Sequence, residues 1–210
     1  IKQHLRHLVL LGAASSLLLF AGCQQEANAD DHEGHDHAQG EGDMHFWLDP
    51  ENAKLMVAHI AQTLSAADPD NAAVYAANAE AEAARLDALS AELSATLAPV
   101  ANKPFIVFHD AYQYFERRFD VPASGALALS DASAPGPARI AELRDKVEIG
   151  GIVCVLSDPE TPADLVALLR EDSSAATAPT DPDGLMLTPG PDLYPALIEG
   201  LAVALEDCLG

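Results

Sequence analysis

The sequence predicts an α/β protein: one lobe with a parallel sheet flanked by helices, preceded by a long spine helix. Two observations carry this. After Pro99, short apolar runs of strand length alternate with segments of helical period, the pattern of βαβ units in a parallel sheet covered on both faces. Before Pro99, an Ala-, Glu- and Leu-rich stretch from about 70 to 98 keeps helical spacing throughout, giving a helix of about 43 Å, longer than most globular ones.

The elements follow in order. Residues 1–22, "IKQHLRHLVLLGAASSLLLFAG", have a basic start at Lys2 and Arg6, an apolar centre, and small Ala21 and Gly22 before Cys23. This is the make-up of a secretory signal. Its uncharged part is too short for a comfortable membrane span. The stretch "LLFAGC" resembles a bacterial lipobox, which implies a lipoprotein-type signal peptide, acylation of Cys23, and a lipid-anchored or secreted product in the periplasm or on the outer face of a bacterial membrane. Residues 23–43 form a His- and acid-rich tether without apolar periodicity, and are expected to be disordered.

Residues 44–98 hold a "MHFW" motif, a short helix and the spine. Asp49 suits an N-cap and Pro50 the first helical position. Met56, Ile60 and Leu64 make an apolar stripe, "AADPDN" breaks the helix, and Val74, Leu86, Leu89, Leu93 and Leu97 mark the spine's buried side. Each stripe residue left in water forgoes roughly 1.5–3 kcal/mol of burial, so a homodimer or a partner is expected to cover residues 50–66.

Residues 99–210 are the C-terminal α/β lobe. "KPFIVFHD" is a strand, "AYQYFERRF" a helix, "ASGALALS" a strand and "PGPARIAELRDKV" a helix. "GGIVCVLSD" is a strand, "TPADLVALLRE" a helix, "SAATAPTD" a weak strand and "GPDLYPALIEGLAVALEDCL" the last helix. Ligands of such sheets bind beyond the carboxyl ends of the strands, where His109 ends the first strand and Asp181 follows the last.

The formal net charge is -22. Residues 1–22 carry two bases and no acids, so the remainder has 9 bases against 33 acids. Such a surface repels nucleic acid and weakly concentrates cations. In an exported chain, Cys154 and Cys208 read as a disulfide pinning the terminal helix to a buried strand, the alternative being two buried free thiols. The closed loop of roughly 55 residues is worth about 4 kcal/mol on the chain-entropy model.

His45, His109 and Asp181 offer two imidazoles and one carboxylate, a common zinc shell with an open fourth position. Water or a histidine of the tether could fill that position. His32, His35 and His37, in "HEGHDH", have spacings too irregular for one rigid site, and are expected to collect zinc, nickel or copper weakly. No HExxH-like motif with a separate general base is present, so a zinc hydrolase is not expected. The competing reading is an interaction module with no tight metal site of its own.

Together "DMHFWLDP", "FIVFHDAYQYFERRF", "PGPARIAELRDKV", the Cys154 strand and "PTDPDG" resemble the C-terminal half of the metal-binding proteins of ABC uptake systems, nearest the zinc branch of ZnuA type. The likeness runs over residues 43–209. It implies two α/β lobes joined by a rigid helix with the metal between them, a His-rich loop before the "DMHxW" motif, and a C-terminal disulfide. Carried over by motif, His45 and His109 are ligands, and Asp181 matches the carboxylate that is a ligand in many members and only a nearby group in some zinc members. The family's first ligand, a histidine of the N-terminal lobe, has no counterpart here, so the N-terminal lobe is expected to be absent. The implied function is extracytoplasmic binding of Zn(II), ahead of Mn(II), for import. The implied partners are an ABC permease or a full-length zinc-binding protein.

Overall fold

The structure, a computed structural model, describes residues 43–128, 135–159, 161–171 and 173–210. Residues 1–22, expected to be a signal peptide, and Cys23, His32, His35 and His37 lie outside the described residues.

The described chain opens with a 3-10 turn, Phe46–Leu48, and then helix α1, Pro50–Ala67. The Asp49 carboxylate accepts from the Glu51 N–H at the helix start, and Pro50 takes the first position, where no donor is needed. After the break at Asp68 and a 3-10 turn, Pro69–Asn71, the spine α2 runs from Ala72 to Leu97. It folds back along α1, and Lys54 links the two helices through Asp87 at 2.5 Å.

Leu86, Leu89, Leu93 and Leu97 are buried, as expected, but Val74 is exposed. The cause is phase: at about 100° per residue, Val74 falls roughly 100° round the helix from the leucine face. The α1 stripe is also open to solvent, with Met56, Ile60, Leu64 and the neighbouring Leu55 all exposed.

Strand β1, Phe105–His109, is followed by α3, Gln113–Phe119, then β2, Ala126–Ala128, and α4, Pro137–Ile149. Strand β3, Cys154–Ser157, leads to α5, Ala163–Arg170, then β4, Ala176–Pro179, and the last helix α6, Leu193–Leu209. All strand pairs are parallel, in the order β2-β1-β3-β4. The chain thus moves outward from β1 to β2 and returns past β1 to reach β3. Right-handed crossovers then require α3 on one face of the sheet and α4 and α5 on the other.

The core shows that division. Phe105 and Val107 pack with Phe115, Phe119, α2 and α6, whereas Ile106 and Val155 pack with Leu143, Val147 and Leu169. The period of two along β1 separates these sets, and places His109 on the α2–α3–α6 side. Cys154 and Cys208 are bonded, with Cα atoms 5.7 Å apart, tying β3 to the last turn of α6. The Lys103 ammonium donates to the Leu209 carbonyl at the same helix end. No helix among the described residues is long and apolar enough to cross a membrane.

Candidate metal centre

The strand order reverses between β1 and β3, and the crevice beyond their carboxyl ends is the place where such sheets bind ligands. His109 ends β1 and Asp158 follows β3, so topology brings them together. The His109 Nδ1 lies 2.5 Å from the Asp158 carboxylate, and both side chains are buried. Asp158 is itself held: its N–H donates to the Thr161 hydroxyl at 2.9 Å, and that hydroxyl donates to the other carboxylate oxygen at 2.8 Å. A carboxylate on Nδ1 favours the tautomer that leaves the Nε2 lone pair for a ligand.

His45 is arranged the same way by residues near it in sequence. Its backbone N–H and its Nδ1 both meet one Asp43 oxygen, at 2.9 and 2.7 Å. Burial opposes the Asp43 charge, but the hydrogen bonds from His45 and Gln113 outweigh it and hold the carboxyl below the usual aspartate range.

The rest of the motif is anchored on three sides. The Tyr114 hydroxyl donates to the Asp43 carbonyl, and Arg118 forks onto the Asp49 carboxylate at 2.6 and 2.9 Å. The Tyr194 hydroxyl donates to the Trp47 carbonyl at 2.8 Å. The Trp47 indole N–H donates to the Pro182 carbonyl at 3.0 Å, bringing the turn after β4 over the His45 segment.

His45 and His109 are thereby brought side by side, their ring centroids 5.4 Å apart and their planes inclined at 58°. The carboxylate beside them belongs to Asp183, whose Oδ1 is 3.9 Å from His45 Nε2. Asp181 lies in the same turn, where its two oxygens accept the Leu185 and Met186 N–H groups at 2.8 and 2.7 Å. The turn closes at Gly184, whose φ of +69° suits a residue without a side chain.

Below the site, the Thr180 hydroxyl donates to the Ser157 carbonyl, so the Tyr112 hydroxyl donates to Thr180 at 2.8 Å. Burial first, and then the charges of Asp158, Asp183 and Asp181, push the Tyr112 phenol well above its usual value and keep it neutral. Among the described residues, no group of three or more His, Cys, Asp or Glu side chains is close enough together to hold a metal ion as it stands.

Motif reading named His45, His109 and Asp181 but missed Asp43, Asp158 and Asp183. For Asp158 a signal existed: it is the acid that follows the strand adjoining β1 at the point of reversal.

The profile of the family described as "Zinc-uptake complex component A periplasmic", ZnuA, matches residues 9–208. The high-affinity zinc uptake system protein ZnuA of Brucella abortus (strain 2308) is 51% identical over 170 residues, covering 81% of this chain and 51% of that protein. The protein of the same name from Paracoccus denitrificans (strain Pd 1222) is 44% identical over 169 residues, covering 80% and 52%. The chain therefore spans about half the length of the curated relatives it matches. A crystal structure of ZnuA superposes with a TM-score of 0.71 at 24% identity, covering 85% of this chain and 64% of that one, which supports the α/β fold. With the family profile matching almost its whole length, this chain belongs to the ZnuA family of zinc-uptake complex components.

Proposed function

We propose that the chain binds Zn(II) outside the cytoplasm and presents it for import by an ABC permease, with His45 and His109 as ligands and a carboxylate from the 181–184 turn beside them. The relatives' names supply the cargo. The observation that carries the reading here is the pairing of the two imidazoles. Each has its Nδ1 engaged by a carboxylate, and the rings stand 5.4 Å apart. Two imidazoles sharing one tetrahedral zinc through Nε2, at about 2.0–2.1 Å, would have centroids about 5.2 Å apart. Two imidazoles with a carboxylate also favour zinc over manganese, which prefers oxygen ligands. The role is binding and hand-over rather than turnover.

Equilibrium dialysis against zinc chloride tests the site. The parent chain should retain about one tight equivalent, and the His45→Ala/His109→Ala double variant none. Equal retention by both would sink the assignment.

Cys23 serves in this reading as the lipid anchor, and His32, His35 and His37 as a collector of metal. Deleting residues 30–40 is expected to lower the zinc bound at high concentration while leaving the tightest affinity within about tenfold, or 1.4 kcal/mol. A collapse of the tight site would instead make the tether the source of a ligand.

The open stripe on α1 is the surface on which a second copy would dock, since Leu55, Met56, Ile60 and Leu64 are exposed along one helix. Sedimentation should show concentration-dependent self-association that Met56→Glu abolishes. A parent chain that stays monomeric at high concentration, with zinc or without, rules that interface out.

A further inference from the structure

Trp47 stands two residues after His45 and reaches the turn after β4. We infer that it is a positioning residue for the metal: its indole hydrogen bond sets where the carboxylate-bearing turn lies against the His45 segment. The inference rests on the zinc-site reading above and concerns how the site is held together, whichever carboxylate of the turn serves it.

The two segments are anchored separately. In the His45 segment, Leu48 is fully buried, and the Tyr194 hydroxyl donates to the Trp47 carbonyl at 2.8 Å. The turn is anchored at its ends. The Thr180 N–H and hydroxyl both donate to the Ser157 carbonyl, at 2.6 and 3.1 Å, and Leu187 packs against the core. Between those ends the turn is braced internally. The Gly184 N–H donates to the Asp181 carbonyl at 3.2 Å, and the Leu187 N–H to the Gly184 carbonyl at 3.1 Å. Its tip is open to solvent at Leu185 and Met186. Such a loop keeps its shape but can swing about its ends. The Trp47 N–H grips it at the Pro182 carbonyl, between the two acids, at 3.0 Å.

That tie matters because zinc holds its ligands at about 2.0–2.2 Å and binding sites tolerate errors of only about 0.5 Å. The Trp47 ring also lies 5.2 Å from the His45 imidazole. One side chain thus stands beside a ligand of one segment while its N–H holds the other segment. A tie made before metal arrives lowers the ordering cost of binding.

Trp47→Phe would remove packing together with the N–H. Trp47 is the single tryptophan of the chain, so incorporating the benzothienyl analogue of tryptophan replaces that N–H by sulfur and alters no other residue. Zinc affinity of the full chain, measured by competition of zinc chloride with a chelator, is compared in two backgrounds: the parent, and Asp181→Asn/Asp183→Asn, in which the turn has no carboxylate to present. In the parent the analogue should weaken zinc by about tenfold. In the double-Asn background the loss should stay within about twofold, the scatter of independent effects. A purely structural role would cost the same in both.

A loss within about twofold in the parent, or an equal loss in both backgrounds, overturns the inference while leaving the His45–His109 site intact. A parent chain that binds no zinc overturns the site and the inference with it.

Discussion

Replacing His109 by alanine is expected to weaken zinc binding by a few hundredfold, and replacing His45 to do nearly as much. Structural zinc sites gain about 10–16 kcal/mol from four ligands, so one ligand is worth about 3–4 kcal/mol. The estimate applies here because each imidazole is prepared before metal arrives. Asp158 and Asp43 hold the Nδ1 atoms, and the backbone beneath is fixed by β1 in one case and by the Arg118, Tyr114 and Tyr194 contacts in the other. Little ordering cost then remains for binding to meet. Asp158→Asn makes a useful companion. It keeps the shape but replaces the carboxylate with a neutral amide, and should cost about tenfold to a hundredfold with His109 still in place. Isothermal titration would show the graded series. Equal affinities for His109→Ala and the parent chain would place the metal elsewhere.

The sheet was legible because its signals are local. β1 and β3 are apolar runs bounded by Lys103-Pro104 and Gly150-Gly151, and the helices α4 and α5 that flank β3 in the chain begin at Pro137 and next to Pro162. Strand order follows from alternation only as a family of choices, and the order β2-β1-β3-β4 needed the packing of α3 opposite α4 and α5. Val74 was misassigned because an apolar residue near the start of a long helix was read by type, although its angular phase places it off the leucine face.

The site divides along the same line. His45 and His109 stand in motifs, and a histidine at a strand end is visible as such. Their partners are not equally visible. Asp43 is one acid among many in an acidic stretch, and only the fold of the 43–45 turn brings its oxygen onto the ring. Asp158 is 49 residues from His109 and meets it through strand order. Asp181 and Asp183 differ by two positions in one turn, and spacing cannot say which carboxylate is spent on backbone N–H groups.

Reducing the Cys154–Cys208 bridge, or replacing both cysteines by serine, is expected to lower stability by about 4 kcal/mol and the thermal midpoint by about 10 °C. The bond closes a loop with a sequence separation of 54, which contains α5, β4 and the turn bearing Asp181 and Asp183. Without it, α6 keeps its buried face, including Ile198, Leu201 and Leu205, so the helix should stay docked in the native state. The loss therefore falls mainly on the unfolded ensemble, which regains the freedom of an open loop. Zinc affinity should change much less than stability, because the carboxylate turn is tied to the His45 segment through Trp47 rather than through the sulfurs. Urea unfolding with and without reductant measures the first effect, and zinc titration of the reduced protein the second. A reduced protein as stable as the oxidised one would remove the bridge from the account of stability. A zinc site lost on reduction under native conditions would show that the bridge holds the turn as well as the chain end.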